Sequence, residues 1–250
     1  MLLIELPTGE LIPLDSTFIL QELSLESPAS LESAAMQHGG KDLSLGFFGP
    51  RRISIMGFIP AATRQEYDFK FDQYMRLFWQ HDLKLYRGVP TDRYLTLTRL
   101  VSSRAQFISG TDYAGQIELE FICENPFWQD PVVISDSQTL VDSRYFSIFN
   151  PGSVECYPLI TVGGLATAAI PYLAFTNITD SNQRLVYSDS AVTLGTTLTF
   201  DAVLGQVQRG NTNTLRYMTG SFIKLLSGVN TLQYNGSTIV YSLIARPQYL

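Results

Sequence analysis

The side chains best suited to catalysis are few. Only two histidines are present, His38 and His81, and neither has a neighbour that completes a nucleophile motif. His38 sits in the Gly-rich run Gln37-His-Gly-Gly40, and His81 falls at the end of an expected helix, where the dipole favours a cation. There is no G-x-S-x-G, Walker loop, H-E-x-x-H or calcium-loop pattern. Gly163-Gly164 leads from a strand into a loop, not into a helix, which makes it a poor phosphate cradle. Glu118 and Glu120 share a strand face, and two carboxylates are all a glycosidase requires. Alternate outward acids are, however, what any half-exposed strand presents. Cys123 and Cys156 are too few for a four-thiolate zinc site; two separate reduced thiols are expected, with a single bridge as the alternative. These residues predict no catalytic, cofactor-binding or metal site, and no enzyme.

Binding chemistry is equally spare. Arg51-Arg52 beside Phe47-Phe48 has the charge and stacking surface of a single-strand nucleic-acid site. In a chain of formal net charge −6, an ion pair within or between subunits is the better reading. Tyr172, Tyr187, Tyr217, Tyr234 and Tyr241 could hold a sugar if exposed, or pack a β core if not. Asn177-Ile-Thr179 and Asn235-Gly-Ser237 match the glycosylation pattern and are read as turns.

The elements that would carry these groups are mostly strands. The chain has 250 residues, 16% of them charged, well under the usual ~25%. Hydroxyls replace the missing charge, with 21 Thr and 22 Ser, and that composition favours sheet over solvated helix. A pI near 4.9 argues against a general nucleic-acid binder. No apolar run approaches the ~18 residues of a membrane span, and Met1-Leu-Leu-Ile-Glu-Leu6 lacks the basic start of a signal peptide, so synthesis in a cytoplasm is expected.

Charge is segmented. Residues 1–40 hold six acids and no Lys or Arg, and residues 41–104 hold eleven bases against six acids. Residues 105–150 then hold seven acids and only Arg144. Either these segments pair within one domain, or acidic and basic faces of neighbouring subunits meet head to tail.

A single helix is predicted near 64–81. Thr63-Arg-Gln-Glu66 has capping-box spacing, and Tyr67, Phe71, Tyr74, Met75 and Phe78 follow on one face. Strands are predicted at 10–15, 17–27, 52–59 (with Gly57 marking a bulge or close approach), 83–87 and 94–99. Gly115–Ile122 alternates with Ile117, Leu119 and Phe121 inward and closes at Cys123-Glu-Asn-Pro-Phe-Trp128. Residues 131–153 read as a crossover linker between a domain over 1–130 and another over 154–250. The second domain shows short strand signals at 158–162, 172–177, 184–188, 196–201, 203–208, 222–226, 230–234 and 238–244, the last two joined by Asn235-Gly236 as a hairpin turn. The fold class is therefore mainly β: a sandwich-like domain with one α-helix, then a β-sandwich. Ser27–Lys41 is read as a long exposed loop.

In this order and spacing the chain resembles the distal tail proteins (Dit family) of long non-contractile-tailed, siphovirus-like bacteriophages. The resemblance rests on Ile117–Trp128 (IELEFICENPFW), Pro158-Leu-Ile-Thr-Val162, Thr197-Leu-Thr-Phe-Asp201, Ser221–Leu232 with its Leu-x-x-Gly-x-Asn-x-Leu turn, and Ala245–Leu250. Ser27–Gly40 carries no matching motif. The resemblance implies a structural virion protein at the distal end of the tail, whose N-terminal domain forms a homo-hexamer ring between the tail tube protein and the tail tip or hub protein. The tape measure protein and then DNA would pass through without specific binding. A galectin-like C-terminal domain would dock receptor-binding or baseplate proteins. A carbohydrate-binding adhesion module and a tail-tube-like ring protein are the alternatives. No cofactor and no membrane insertion are expected.

Overall fold

The structure, a computed structural model, describes residues 2–14, 19–25, 50–107, 114–163, 172–193 and 195–250. It is mainly β, and its contacts divide it into two compact units, Met1–Gln129 with Leu250, and Asp130–Tyr249.

The first unit contains β1 (Leu2–Glu5), β2 (Leu11–Pro13), β3 (Ile19–Leu25), β4 (Arg51–Pro60), α1 (Arg64–Phe78), β5 (Leu83–Arg87), β6 (Tyr94–Leu97), β7 (Arg99–Phe107), β8 (Ala114–Cys123) and β9 (Trp128–Gln129). One sheet runs β2-β1-β5-β6-β9 and a second runs β3-β4-β8-β7. The alternation expected on β8 is present: Ile117, Leu119 and Phe121 are buried, and Gln116, Glu118 and Glu120 face away from them. β4 is continuous through Gly57, and the irregularity lies on its neighbour, where the β3 register shifts between Leu20, opposite Gly57, and Glu22. The strand predicted at 94–99 is two strands, because Thr98 breaks the run: its amide donates to Ile122 O and its hydroxyl accepts Glu124 N.

Thr63 caps α1, its Oγ1 accepting Glu66 N at 3.1 Å; the Glu66 carboxylate reaches one residue further back than a capping box requires, to Ala62 N at 2.7 Å. The helix ends at Phe78, three residues before His81. Trp79 caps it, and Asp82 turns the chain at φ 58° while His81 Nδ1 lies 3.2 Å from Thr98 O. Of the predicted apolar stripe, Tyr67 and Phe78 are buried and Phe71, Tyr74 and Met75 are half-buried. Tyr67 lies so close over Gly115 that a Cβ there would overlap its ring.

The second unit is a sandwich. Its strands are β10 (Ile134–Leu140), β11 (Arg144–Asn150), β12 (Leu159–Gly163), β13 (Tyr172–Asn177), β14 (Gln183–Ser188), β15 (Thr197–Asp201), β16 (Gln206–Arg209), β17 (Thr212–Asn213), β18 (Met218–Gly220), β19 (Gly228–Gly236), β20 (Ile239–Ala245) and β21 (Gln248–Tyr249). One sheet runs β10-β20-β12-β15-β16-β17 and the other β11-β19-β13-β14-β18. A single core joins them, including Phe146, Leu173, Phe175, Tyr187, Phe200, Tyr234 and Tyr241.

Four sequence expectations fail here. The crossover expected at 131–153 contains β10 and β11, one strand for each sheet; β10 escaped notice because its core-facing positions include Asp136 and Gln138. The run 222–226 is no strand. It makes one bridge, Leu225 to Cys156, because Asn177 Nδ2 donates to Lys224 O and Asn230 Oδ1 accepts from Leu226 N. Asn235-Gly236 does not turn a hairpin: both residues remain in β19 opposite Ala174 and Leu173, Asp142 Oδ1 takes Gly236 N, and the chain crosses to the other sheet before β20. The strand predicted from 203 begins at Gln206, since Asp201 Oδ1 holds Val203 N and Leu204 N in a turn.

Candidate functional site

The polar face of β4, β8 and β7 in the first unit carries two ion pairs. The register sets Arg52 near Glu120, and Glu118 opposite Arg104. Arg52 Nη1 donates to Glu120 Oε1 at 2.6 Å, Ser102 Oγ donates to Glu120 Oε2 at 3.1 Å, and Arg104 Nη1 lies 3.9 Å from Glu118 Oε2. The Arg52 guanidinium, aided by Ser102, holds the Glu120 carboxyl below its ordinary pKa. On the other sheet Glu5 accepts from Lys84 Nζ at 2.8 Å and from Tyr86. Burial pushes Glu5 up, but those two bonds and the Lys84 charge outweigh it and hold the carboxyl low. These pairs join oppositely charged segments within one unit.

Among the described residues β7 is an edge of this sheet, as β3 is. Residues 101–106 are exposed on both faces, although Ser103 and Ala105 stand opposite the buried Leu119 and Ile117. The side of β7 that continues the core face is therefore uncovered. Long exposed edges of this kind are templates for pairing with another chain.

The groups singled out from the sequence do not gather. His81 lies at the turn after α1, and His38, Phe47 and Phe48 lie outside the described residues, as do the 27–41 loop and Gly164. Arg51 is buried at 5% exposure with its Nε unpartnered, and burial with Arg87 nearby lowers its pKa; Arg52 is engaged by Glu120. Arg51 is thus withdrawn from solvent, and Arg52 is already paired with a carboxylate. Cys123 and Cys156 belong to different units, are free and buried, and burial pushes each thiol up to about 12, so both are unreactive at neutral pH. Tyr187, Tyr234 and Tyr241 are core residues, Tyr217 packs against that core, and only Tyr172 is exposed, its hydroxyl accepting from Arg184. Asn177 is fully buried and cannot carry a glycan. No group of three His, Cys, Asp or Glu among the described residues is placed to hold a metal.

The motif residues 225–232 have a local structural task. Leu225 and Leu232 fill the core, Gly228 adopts φ 90°, and the fully buried Asn230 stitches the loop. Asn230 Oδ1 accepts from Leu226 N and Asn177 Nδ2, and its Nδ2 donates to Leu226 O and Gly228 O. Sequence alone could not show these partners, because Asn177 is far along the chain.

A two-unit, mainly β chain with a one-helix unit followed by a sandwich defines a fold seen among phage tail hub proteins. Dit of phage SPP1, described as a paradigm of the hub adsorption apparatus in phages infecting Gram-positive bacteria, matches over 100% of both chains with a TM-score of 0.68 and 13% identity. At that identity the likeness shows the fold alone: this chain has the Dit fold along its whole length. The phage P2 baseplate, solved in its activated conformation with calcium, matches 98% of each chain at a TM-score of 0.47 and 9% identity, too distant to carry weight. No protein-family model and no curated protein sequence matches.

Proposed function

We propose that the chain is a structural virion protein of a phage tail, a distal hub that forms a homo-hexamer ring between tail tube and tail tip. The full-length fold match to SPP1 Dit carries this reading. The β3-β4-β8-β7 sheet supports the ring, since among the described residues β3 and β7 are its two edges and β7 is bare on both faces. Its polar face suits a channel wall: Arg52 and Arg104 are each set against a carboxylate, so passing phosphates meet no concentrated positive charge. The second unit, with its own core, would serve as the platform for receptor-binding or baseplate proteins. The burial of Tyr187, Tyr234 and Tyr241 removes most of the surface that an adhesion module would use for sugar.

Native mass spectrometry with negative-stain imaging tests the reading. The expected result is a closed ring of about six times the 28.0 kDa chain mass with a central hole. Stacking into long tubes would assign the chain to the tube instead. A monomer that binds glycans and is missing from purified virions would overturn the tail assignment.

A further inference from the structure

β10 and β11 are consecutive in the chain yet are edge strands of opposite sheets. One side of the sandwich thus offers two strand edges, with a groove of about 450 Å³ between them. Val132, Val133, Asp136, Phe149 and Pro247 are among its lining residues.

The two edges are defended differently. β10 turns Asp136 and Gln138 toward the interior, and an inward charge is a standard device against unwanted pairing. β11 has no such device. Its sequence Arg-Tyr-Phe-Ser-Ile-Phe-Asn contains no Lys, no Pro and no register shift. Tyr145 is 56% exposed, Phe149 60%, and Val229, opposite Phe149 on β19, 59%. An exposed edge of seven residues with this composition is a template for pairing with another strand. The groove is also one-sided in charge. Among the described residues Asp130 and Asp136 line it and no Lys, Arg or His does, the nearby Arg246 guanidinium being held by Asp130 O at 2.8 Å and Pro131 O at 3.3 Å. Asp136 Oδ2 accepts from Tyr241 at 2.6 Å and from Gln138 at 2.9 Å, leaving Oδ1 without a partner among the described residues.

We propose that the β11 edge and this groove accept an extended segment of a different protein as an added strand. The segment places alternate apolar side chains against Phe149 and Val132, and a Lys or Arg at Asp136. This assignment rests on the docking-platform reading of the second unit and names its contact surface.

Hydrogen–deuterium exchange tests it, comparing the purified full chain at two concentrations tenfold apart with assembled tail particles. The edge-facing amides of 144–150 exchange fast in the free chain at both concentrations and at least a hundredfold slower in particles. Phe149→Lys, at a solvent-facing position, restores fast exchange in particles, and Asp136→Asn reduces the protection at least tenfold. Protection already present in the dilute free chain means the chain covers its own edge and overturns the proposal. Protection that grows with concentration means a second copy and overturns it equally. An Asp136→Asn result identical to wild type removes the cation. If other amides of 130–249 gain protection in particles while β11 stays fast, docking stands and this site falls. If none changes, the docking reading itself fails.

Discussion

The two units treat their buried polar groups differently. In the second, Asn150, Asn177 and Asn230 are almost wholly buried, and the hydrogen bonds they make pin the loops that close one end of the sandwich. Asp189, its side chain only 2% exposed, is answered by Arg209 at 2.7 Å and by Tyr187 at 3.0 Å. In the first unit Arg51 is buried with an unpartnered Nε, and the longest edge strand lies bare on both faces. Among the described residues, the difference separates a unit whose buried polar side chains are all answered from one that leaves bonding capacity unused in its core.

Substitutions can break this contrast if each unit melts as its own transition. Asn230→Ala strands four hydrogen-bond partners and should lower the second transition by about 4 kcal/mol, leaving the first unchanged in chemical denaturation. Gly115→Ala drives a methyl into the Tyr67 ring and should cost the first unit about 2 kcal/mol; a smaller residue at Tyr67 should return part of it in a double-mutant cycle. Thr63→Ala removes the cap of α1 and should cost about 1 kcal/mol, also confined to the first transition.

Acid should act on the first unit through Glu5. Its folded pKa lies below the unfolded value of about 4.3, so its contribution is full above that value and is lost as pH falls through the folded pKa. Lys84→Met should flatten the stability curve below about pH 5, an effect under about 1 kcal/mol. Ala105→Lys, at an exposed edge position, should change stability by less than about 0.5 kcal/mol yet abolish the ring on a sizing column. Its smallness in stability and completeness in assembly would mark the unused capacity as functional.

Much of this was legible in the residues themselves. The 3.6-residue stripe and Thr63 cap gave α1, and the period-two alternation of 115–122 gave the inward face of β8, because in both cases burial follows a local repeat. The edges were not legible. β10 and β11 hid inside an apparent linker because an inward Asp136 and outward Tyr145 and Phe149 blur the alternation. Asn235-Gly236 misled for a related reason: the residues favour a turn, but Asp142 and the Leu173 pairing hold them in a strand. The salt bridges of the polar face join segments up to 68 residues apart, so a charge census could suggest only that they pair somewhere.

The pairings of β10 with β20 and β11 with β19 also set an order of events. Residues 134–150 hydrogen-bond to residues 228–245, so the first strands of the sandwich wait for nearly its last before either sheet is finished. Such non-local closure makes folding slow and high in contact order. The groove walls come from the earliest strands of the unit, yet they take shape only after some hundred residues have collapsed around them. The proposed partner segment would therefore meet a completed sandwich or none at all.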